Sequence, residues 1–299
     1  HSSKKFIMER VTETLGDLYG MHWPYKQHHT SRNQRLLPYN EELKNAGACF
    51  GQSGEYERPM WFALNGSKPE YQYNFNEQNW YPSVEFECKN TTENVGLFEL
   101  SPFSKYEIKG IKSHEELQRL CTANIKNETG KCTYTHMLNE AGGIETDLTV
   151  VCVDKNYFRI ISAAAVRTHD KAHILKHISS DIEFKDVTDD LVCLGLFGPK
   201  SRNLISKLSN DDFSNDNFKF GTSKVMQLLS NLISFSNIRE CDLFLCVIAL
   251  TAEMASVLVA KTTESPFSIL STQSYLPLTR SIWGRGIALS ILISIIFSL

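Results

Sequence analysis

An α+β fold, a sheet domain with helices packed on it, is the class this sequence predicts. From Val95 onward strand-type and helix-type segments alternate in a mixed order. A Gly142-Gly143 turn joins two β-type segments, Cys132 to Leu138 and Ile144 to Val153, both carrying Thr, Tyr, Val or Ile. The chain of 299 residues, 42% apolar and 22% charged, is long enough for one large core or two modest ones.

Lys4 to Tyr19 places Phe6, Ile7, Val11, Leu15 and Leu18 at near-helical spacing, and Gly20 is a natural stop, so a helix is expected. Trp23-Pro24 to Asn40, with His28-His29 and Pro38, has neither periodicity and reads as an extended connector. Residues 41 to 94 hold Tyr56, Trp61, Phe62, Tyr71, Tyr73, Phe75, Trp80, Tyr81 and Phe86. This aromatic density requires a surface to bury it, and packing is the reading preferred to ligand stacking.

Val95 to Leu100 and Lys105 to Lys109 read as strands joined through Ser101-Pro102. Ser113-His114-Glu115-Glu116 has the form of a capping box and should open a helix with Leu117, Leu120 and Cys121 on its apolar stripe. Asn124 to Gly130 returns the chain to the Cys132 to Val153 hairpin. Strands are expected again at Tyr157 to Ala164, Ile182 to Asp186 and Leu191 to Phe197, and helices at Thr168 to Ser179 and from Pro199 to Leu208. Residues 241 to 299 carry only Asp242, Glu253, Lys261, Glu264, Arg280 and Arg285 as charges. The uncharged run Ile287 to Leu299, as a helix, reaches only about 20 Å against a hydrocarbon core of about 30 Å, so no membrane span is expected.

The formal charge of −3, with no Lys/Arg run, gives no electrostatic reason for a nucleic-acid partner. Eight scattered cysteines without a C-x-x-C pair read as reduced thiols filling the core. Asn65-Gly66-Ser67, Asn90-Thr91-Thr92 and Asn127-Glu128-Thr129 fit the glycosylation pattern and are read as chance matches. The sequence begins at His1, which says nothing of any targeting segment.

Asn139-Glu140-Ala141-Gly142-Gly143-Ile144 followed by Asp147-Leu148 resembles the folate-binding motif of the glycine-cleavage T-protein (aminomethyltransferase) family. Further stretches are similar to the C-terminal part of dimethylglycine and sarcosine dehydrogenases: Tyr56-Glu57-Arg58-Pro59-Met60-Trp61-Phe62, Asn79-Trp80, Val95 to Lys105, Leu117-Gln118-Arg119-Leu120 and Gly195 to Arg202. The resemblance covers residues 3 to 225. It implies a T-protein-like folate-binding domain with mixed sheets and packed helices, preceded by the tail of a flavoprotein domain.

It also divides the chain: residues 1–40 as the remnant of an upstream FAD-dependent domain and connector, 41–94 as an aromatic interdomain segment, 95–225 as the folate-binding domain, and 226–299 as an atypical hydrophobic tail, read as a gene-model artefact. The tail lacks the Tyr-x-Gly-Glu-x-Gly-type strand by which the family brings a Glu to the pterin. Tetrahydrofolate is the implied cofactor, with FAD confined to the upstream domain, which is the implied partner. The mitochondrial matrix is the implied compartment, or the cytoplasm for a bacterial-type relative.

Folate contacts are implied at Asn139, Asn124, Leu138 and Tyr134. Asn139 is also the kind of residue that bonds its own turn. Ala123-Asn124-Ile125 stands where the family has its catalytic Asp, and an amide there can orient a nitrogen or a water but cannot ionise. Asn124 also fits the role of a helix-end cap. A pterin-sized cleft is expected between the Gly-Gly reversal and the loop carrying Asn124.

His169, His173 and His177 recur every four residues, but no ligand set completes a metal site and an exposed row is expected. Arg58 suits an interdomain carboxylate or the surface. Gly198-Pro199-Lys200 at a strand-to-helix turn is a weak phosphate signal. The implied activity is one-carbon transfer to tetrahydrofolate within an N-methylglycine dehydrogenase, with catalysis left open by Asn124. The alternative is a non-catalytic relative such as the pyruvate dehydrogenase phosphatase regulatory subunit.

Overall fold

The computed structural model describes residues 3–53, 56–228, 231–237, 246–250 and 268–270, with side chains to residue 225. Helix α1 (Lys4–Gly16) runs into a 3-10 turn (Asp17–Tyr19) at Gly20, as the periodicity predicts. Residues 21–39 contain neither helix nor strand apart from a bridge between Arg35 and Tyr56. The short helix α2 (Asn40–Asn45) then precedes a two-stranded hairpin, β1 (Ala48–Ser53) and β2 (Tyr56–Phe62). Helix α3 (Tyr81–Glu93) has Pro82 in its first turn, where a missing N–H costs nothing.

Two larger sheets follow. Strands β3 (Gly96–Glu99), β9 (Val192–Phe197), β10 (Thr222–Leu228), β11 (Asn231–Asn237), β12 (Cys246–Leu250) and β13 (Ser268–Leu270) form a sheet of order β10-β11-β12-β9-β3-β13. Only its β13–β3 pairing is parallel. Strands β4 (Ser104–Lys109), β5 (Cys132–Leu138), β6 (Ile144–Asp154), β7 (Tyr157–Ser162) and β8 (Glu183–Asp186) form an antiparallel sheet of order β5-β6-β7-β4-β8. Helices α4 (Ser113–Leu120), α5 (Arg167–His177) and α6 (Ser201–Leu208) complete the α+β architecture expected from the sequence. Strands β11 to β13 lie within the stretch read as an atypical tail, and the run Ile287 to Leu299 lies outside the described residues. Among the described residues no helix is long and apolar enough to cross a membrane.

Alternation along the strands sorts side chains into separate cores. Met137, Leu148, Val150, Cys152, Phe158 and Ile160 meet Leu117 of α4 and Ile174 of α5 over the five-stranded sheet. A second core joins Leu43, Tyr56 and Phe62 to Leu97, Val192, Leu194 and Ile205. The aromatic segment packs in part: Trp61 and Trp80 are buried and Tyr71 stands edge-on to Trp80 at 4.8 Å, while Phe75, Tyr81 and Phe86 are exposed. Burying each indole contributes on the order of 3 kcal/mol. Exposed ion pairs contribute about 0–1 kcal/mol, so ring packing and not surface charge fixes β1 and β2 here. The six described cysteines are free, and burial pushes the thiols of Cys49, Cys121 and Cys193 up to about 12.

Two expectations change. Ser113 does not cap α4: Lys112 occupies the N-cap without a side-chain bond, and the Ser113 hydroxyl is buried and unpaired as the helix's first residue. The turn Ser113 N–H to Gly110 carbonyl (2.9 Å), with Gly110 at φ +146°, brings the chain into the helix one residue early. The phosphate signal at Gly198-Pro199-Lys200 is also absorbed by packing. Lys200 N–H donates to the Asn94 carbonyl (3.0 Å) and its Nζ to Asn94 Oδ1 (2.5 Å), closing the end of α3. At Gly198 (φ +113°) a Cβ would lie 2.4 Å from the Asn94 carbonyl oxygen, so only glycine fits.

Arg58 resolves to a buried pair. Its Nε donates to Glu99 Oε2 (2.9 Å) and its Nη2 to the Glu99 carbonyl (2.7 Å), with side-chain exposures of 11% and 2%. Removing one partner strands a buried charge. Arg58→Met is expected to cost about 3–5 kcal/mol in urea unfolding, and Arg58→Met with Glu99→Gln together clearly less than the sum of the single changes.

Helix α1 is held by its polar side. Burial would raise the Glu13 carboxyl, but bonds from the Thr30 hydroxyl and the His29 and Thr30 N–H groups outweigh it and lower it from 4.5 to about 2. A lowered folded value stabilises the folded state above the unfolded value and is lost as pH falls through the folded one. The His29 and Thr30 amide resonances are therefore expected to titrate with a midpoint near pH 2 and not 4.5, and Glu13→Gln should abolish that titration.

A candidate ligand site along the β5 edge

The β5–β6 hairpin carries the residues singled out in the sequence. Its register sets His136 opposite Asp147 and Tyr134 opposite Thr149, with an irregularity between Met137 and Leu138. Thr135 and Met137 point into the core, so Tyr134, His136 and Leu138 share the opposite face. On that face the Tyr134 hydroxyl donates to Asp147 Oδ2 (3.2 Å), and the Tyr134 and His136 rings meet edge-on at 5.3 Å. Leu138 is partly exposed at the end of the row.

At the tip, Gly142 alone adopts positive φ (+82°); Gly143 does not. Asn139 organises the reversal. Its Oδ1 accepts from the N–H groups of Ala141 (3.1 Å) and Gly143 (2.8 Å), and its Nδ2 donates to Glu145 Oε1 (2.9 Å). Both oxygen lone pairs are thus committed to the turn, and one amide hydrogen remains for a ligand.

The loop after α4 is stitched to the free edge of β5. Thr122 N–H donates to the His136 carbonyl (2.9 Å), Ala123 N–H to Thr135 Oγ1 (3.0 Å) and Lys126 N–H to Thr133 Oγ1 (3.5 Å). Gln118 of α4 clips the same loop by accepting from Ile125 N–H (2.9 Å) and donating to the Ala123 carbonyl (3.2 Å). Ala123 and Lys126 bracket Asn124, which is exposed, between Thr135 and Thr133, level with Tyr134. Asn124 is therefore in a loop and caps no helix.

The structure corrects the expectation of one pterin-sized cleft between these two places. They share a strand edge, but Asn139 lies five residues beyond Tyr134, on the order of 15 Å at strand spacing. Asn124 stands level with Tyr134 along the strand, its loop held by the hydroxyls of Thr133 and Thr135 on the other face, and Asn139 with Leu138 lies at the far end.

Sequence reading missed what backs the tip. Glu145 Oε2 also meets His169 Nε2 (2.9 Å), and His169 Nδ1 lies 3.3 Å from Asp170 Oδ1. Asp170 is fully buried, and burial raises its pKa. Helical spacing predicts that Asp170 points off the histidine face, but its Oδ1 meets His169 at the start of the row. His169 is exposed, while His173 and His177 are half-buried with rings 4.5 Å apart; His177 Nδ1 bonds the His173 carbonyl (2.8 Å). Among the described residues no group of His, Cys, Asp and Glu is arranged to hold a metal.

The comparisons with known proteins agree with this architecture. Residues 39–234 match the family described as GCVT N-terminal domain, and residues 1–36 match the FAD dependent oxidoreductase central domain. The chain is 35% identical over 229 residues to 4-methylaminobutanoate oxidase (formaldehyde-forming) of Paenarthrobacter nicotinovorans, covering 76% of this chain and 28% of that protein. It is 34% identical over 231 residues to mitochondrial dimethylglycine dehydrogenase of Homo sapiens, covering 76% and 26%. The chain spans about a quarter of the length of these relatives. The crystal structure of glycine cleavage system aminomethyltransferase T from Bartonella henselae superposes with a TM-score of 0.67 at 20% identity, covering 84% of this chain and 64% of that one. The resemblance to dimethylglycine and sarcosine dehydrogenases and the T-protein-like fold are borne out.

Gly142→Ala isolates the conformational demand of the tip, because a Cβ there meets nothing within 4 Å. It is expected to cost about 1–2 kcal/mol of stability in denaturant titration, through its positive φ alone.

Proposed function

The chain belongs to the GCVT N-terminal domain family, and from that premise we propose that it binds tetrahydrofolate along the β5 edge and takes part in one-carbon transfer. The observation that carries this reading is the stitching of the Asn124 loop beside Tyr134, with Asn139 about 15 Å further along the same strand. Folate is elongated, with a pterin at one end and a glutamate at the other. Two polar ends on one rigid edge suit such a molecule better than a compact one.

The residues fit the ligand's chemistry. Asn124 is exposed and offers both an amide donor and an acceptor, Asn139 keeps one free amide hydrogen, and the Tyr134 hydroxyl donates to Asp147. Leu138 supplies apolar wall at the tip. When bound, tetrahydrofolate supplies the nitrogen that receives the one-carbon unit. Asn124 orients that nitrogen without exchanging a proton, so the chain's contribution is proximity and alignment.

In this reading the parent protein is an FAD- and folate-dependent oxidoreductase acting on an N-methyl amine of the N-methylglycine type. Its flavin domain lies upstream and holds the FAD. Residence in the mitochondrial matrix belongs to the same proposal, by likeness to relatives named mitochondrial. An amide at the Asn124 position also favours a second reading, a non-catalytic regulatory protein of the same architecture.

Calorimetric titration of tetrahydrofolate into the folded chain separates the two. Saturable binding is expected, and Asn124→Ala and Asn139→Ala should each weaken it by about fivefold, the worth of one hydrogen bond. Because Asn124 is exposed, Asn124→Ala should leave the melting temperature unchanged. A flat titration with the far-UV spectrum intact would overturn the folate reading and leave the regulatory one.

A further inference from the structure

Helix α1 is amphipathic in the reverse of the usual sense. The side turned toward the chain carries Phe6, Glu9, Arg10, Glu13 and Asp17, all half-buried. It is held largely by polar bonds: Glu9 and Arg10 to Ser31, Glu13 to His29 and Thr30, and Asp17 to Lys26. The opposite side presents Ile7, Met8, Val11, Leu15 and Leu18, between 51% and 64% exposed. Ile7, Val11, Leu15 and Leu18 follow the i, i+4, i+8, i+11 stripe that a surface helix turns to a core. None of the residues of α1 is buried.

A contiguous apolar stripe left facing water marks an interface. We propose that this stripe of α1 is the docking seam for the upstream remainder of the FAD dependent oxidoreductase central domain, and that α1 joins that unit to the folate unit. The occupant is named by two observations. Residues 1–36 match the FAD dependent oxidoreductase central domain, so α1 is a piece of that unit. The chain spans only 28% of the oxidase relative, whose remaining length has room for the rest of the unit. The directional, charge-assisted bonds on the inner side fix the helix against the 26–31 connector, while the outer side offers area without direction, which suits burial in another core.

This inference rests on the proposed upstream flavin domain, and its test uses no folate, so either can fail alone. Hydroxyl-radical labelling read by mass spectrometry is applied to this chain and to the longer polypeptide continued upstream through the flavin-binding domain. Ile7, Met8, Val11, Leu15 and Leu18 should lose labelling several-fold in the longer protein, while the exposed Ile111 and Phe220 stay as reactive as before. Val11→Lys with Leu15→Lys should leave the melting temperature of this chain unchanged, yet lower that of the longer protein and restore the labelling. Equal labelling in both proteins, or protection that appears in this chain alone as its concentration rises, would overturn the proposal, the latter by making a second copy the occupant.

Discussion

Glu99 is the point on which the arrangement of the sheets depends. A carboxylate out of water costs several kcal/mol unless its lone pairs are occupied. Here Oε1 accepts from the Tyr39 hydroxyl (3.1 Å) and the Ser101 N–H (2.6 Å), and Oε2 from Arg58 (2.9 Å). These donors come from the connector before α2, from the β2 strand, and from the turn between β3 and β4. That turn carries the chain from the six-stranded sheet to the five-stranded one. Lys105, also buried, holds the turn's far side by donating to the Ser101 (2.7 Å) and Phe103 (2.8 Å) carbonyls. Burial lowers the Lys105 pKa, and the two carbonyls together with the Glu99 carboxylate nearby oppose that effect. The position of the β5 edge relative to the first sheet is thus set by a polar knot, while the cores on either side supply the bulk of the stability.

Much of this was legible because local physics decides it. Alternating apolar residues and the Gly-Gly reversal each fix a backbone conformation within a few residues, and the corresponding elements appear where the sequence puts them, whereas the helix expected from Pro199 starts at Ser201. What was not legible lies between segments. Nothing near Arg58 names Glu99, 41 residues on, as its partner. The Ser113 motif satisfied the spacing of a capping box, yet the glycine turn before it brought the chain into the helix one residue early. The spacing along α1 identified a stripe correctly, but periodicity records that a stripe exists and not what covers it.

The site shows the same division. Asn139 stood out because a polar residue beside a two-glycine turn has few reasons to be there, and one of those reasons, bonding its own turn, is realised through Ala141 and Gly143. The stitching that places Asn124 was hidden, since it uses Gln118 and Thr135, residues with no distinctive spacing. The support behind the tip was hidden too: Glu145 and His169 are 24 residues apart and meet only because α5 packs beside β6. Sequence reading therefore found the residues that touch solvent and missed those that hold them.

The separation along β5 bears on mechanism. A group at the Asn124 end and a group at the Asn139 end cannot grip one ring, so each must serve a different part of an elongated ligand. At the Asn124 end the Asp147 carboxylate accepts a hydrogen bond from Tyr134, and at the Asn139 end the Glu145 carboxylate accepts one from Asn139. The Asn124 amide cannot ionise to strip a proton. The edge is built to hold and align, and in the proposed function any rate it confers comes from keeping two reactants in register.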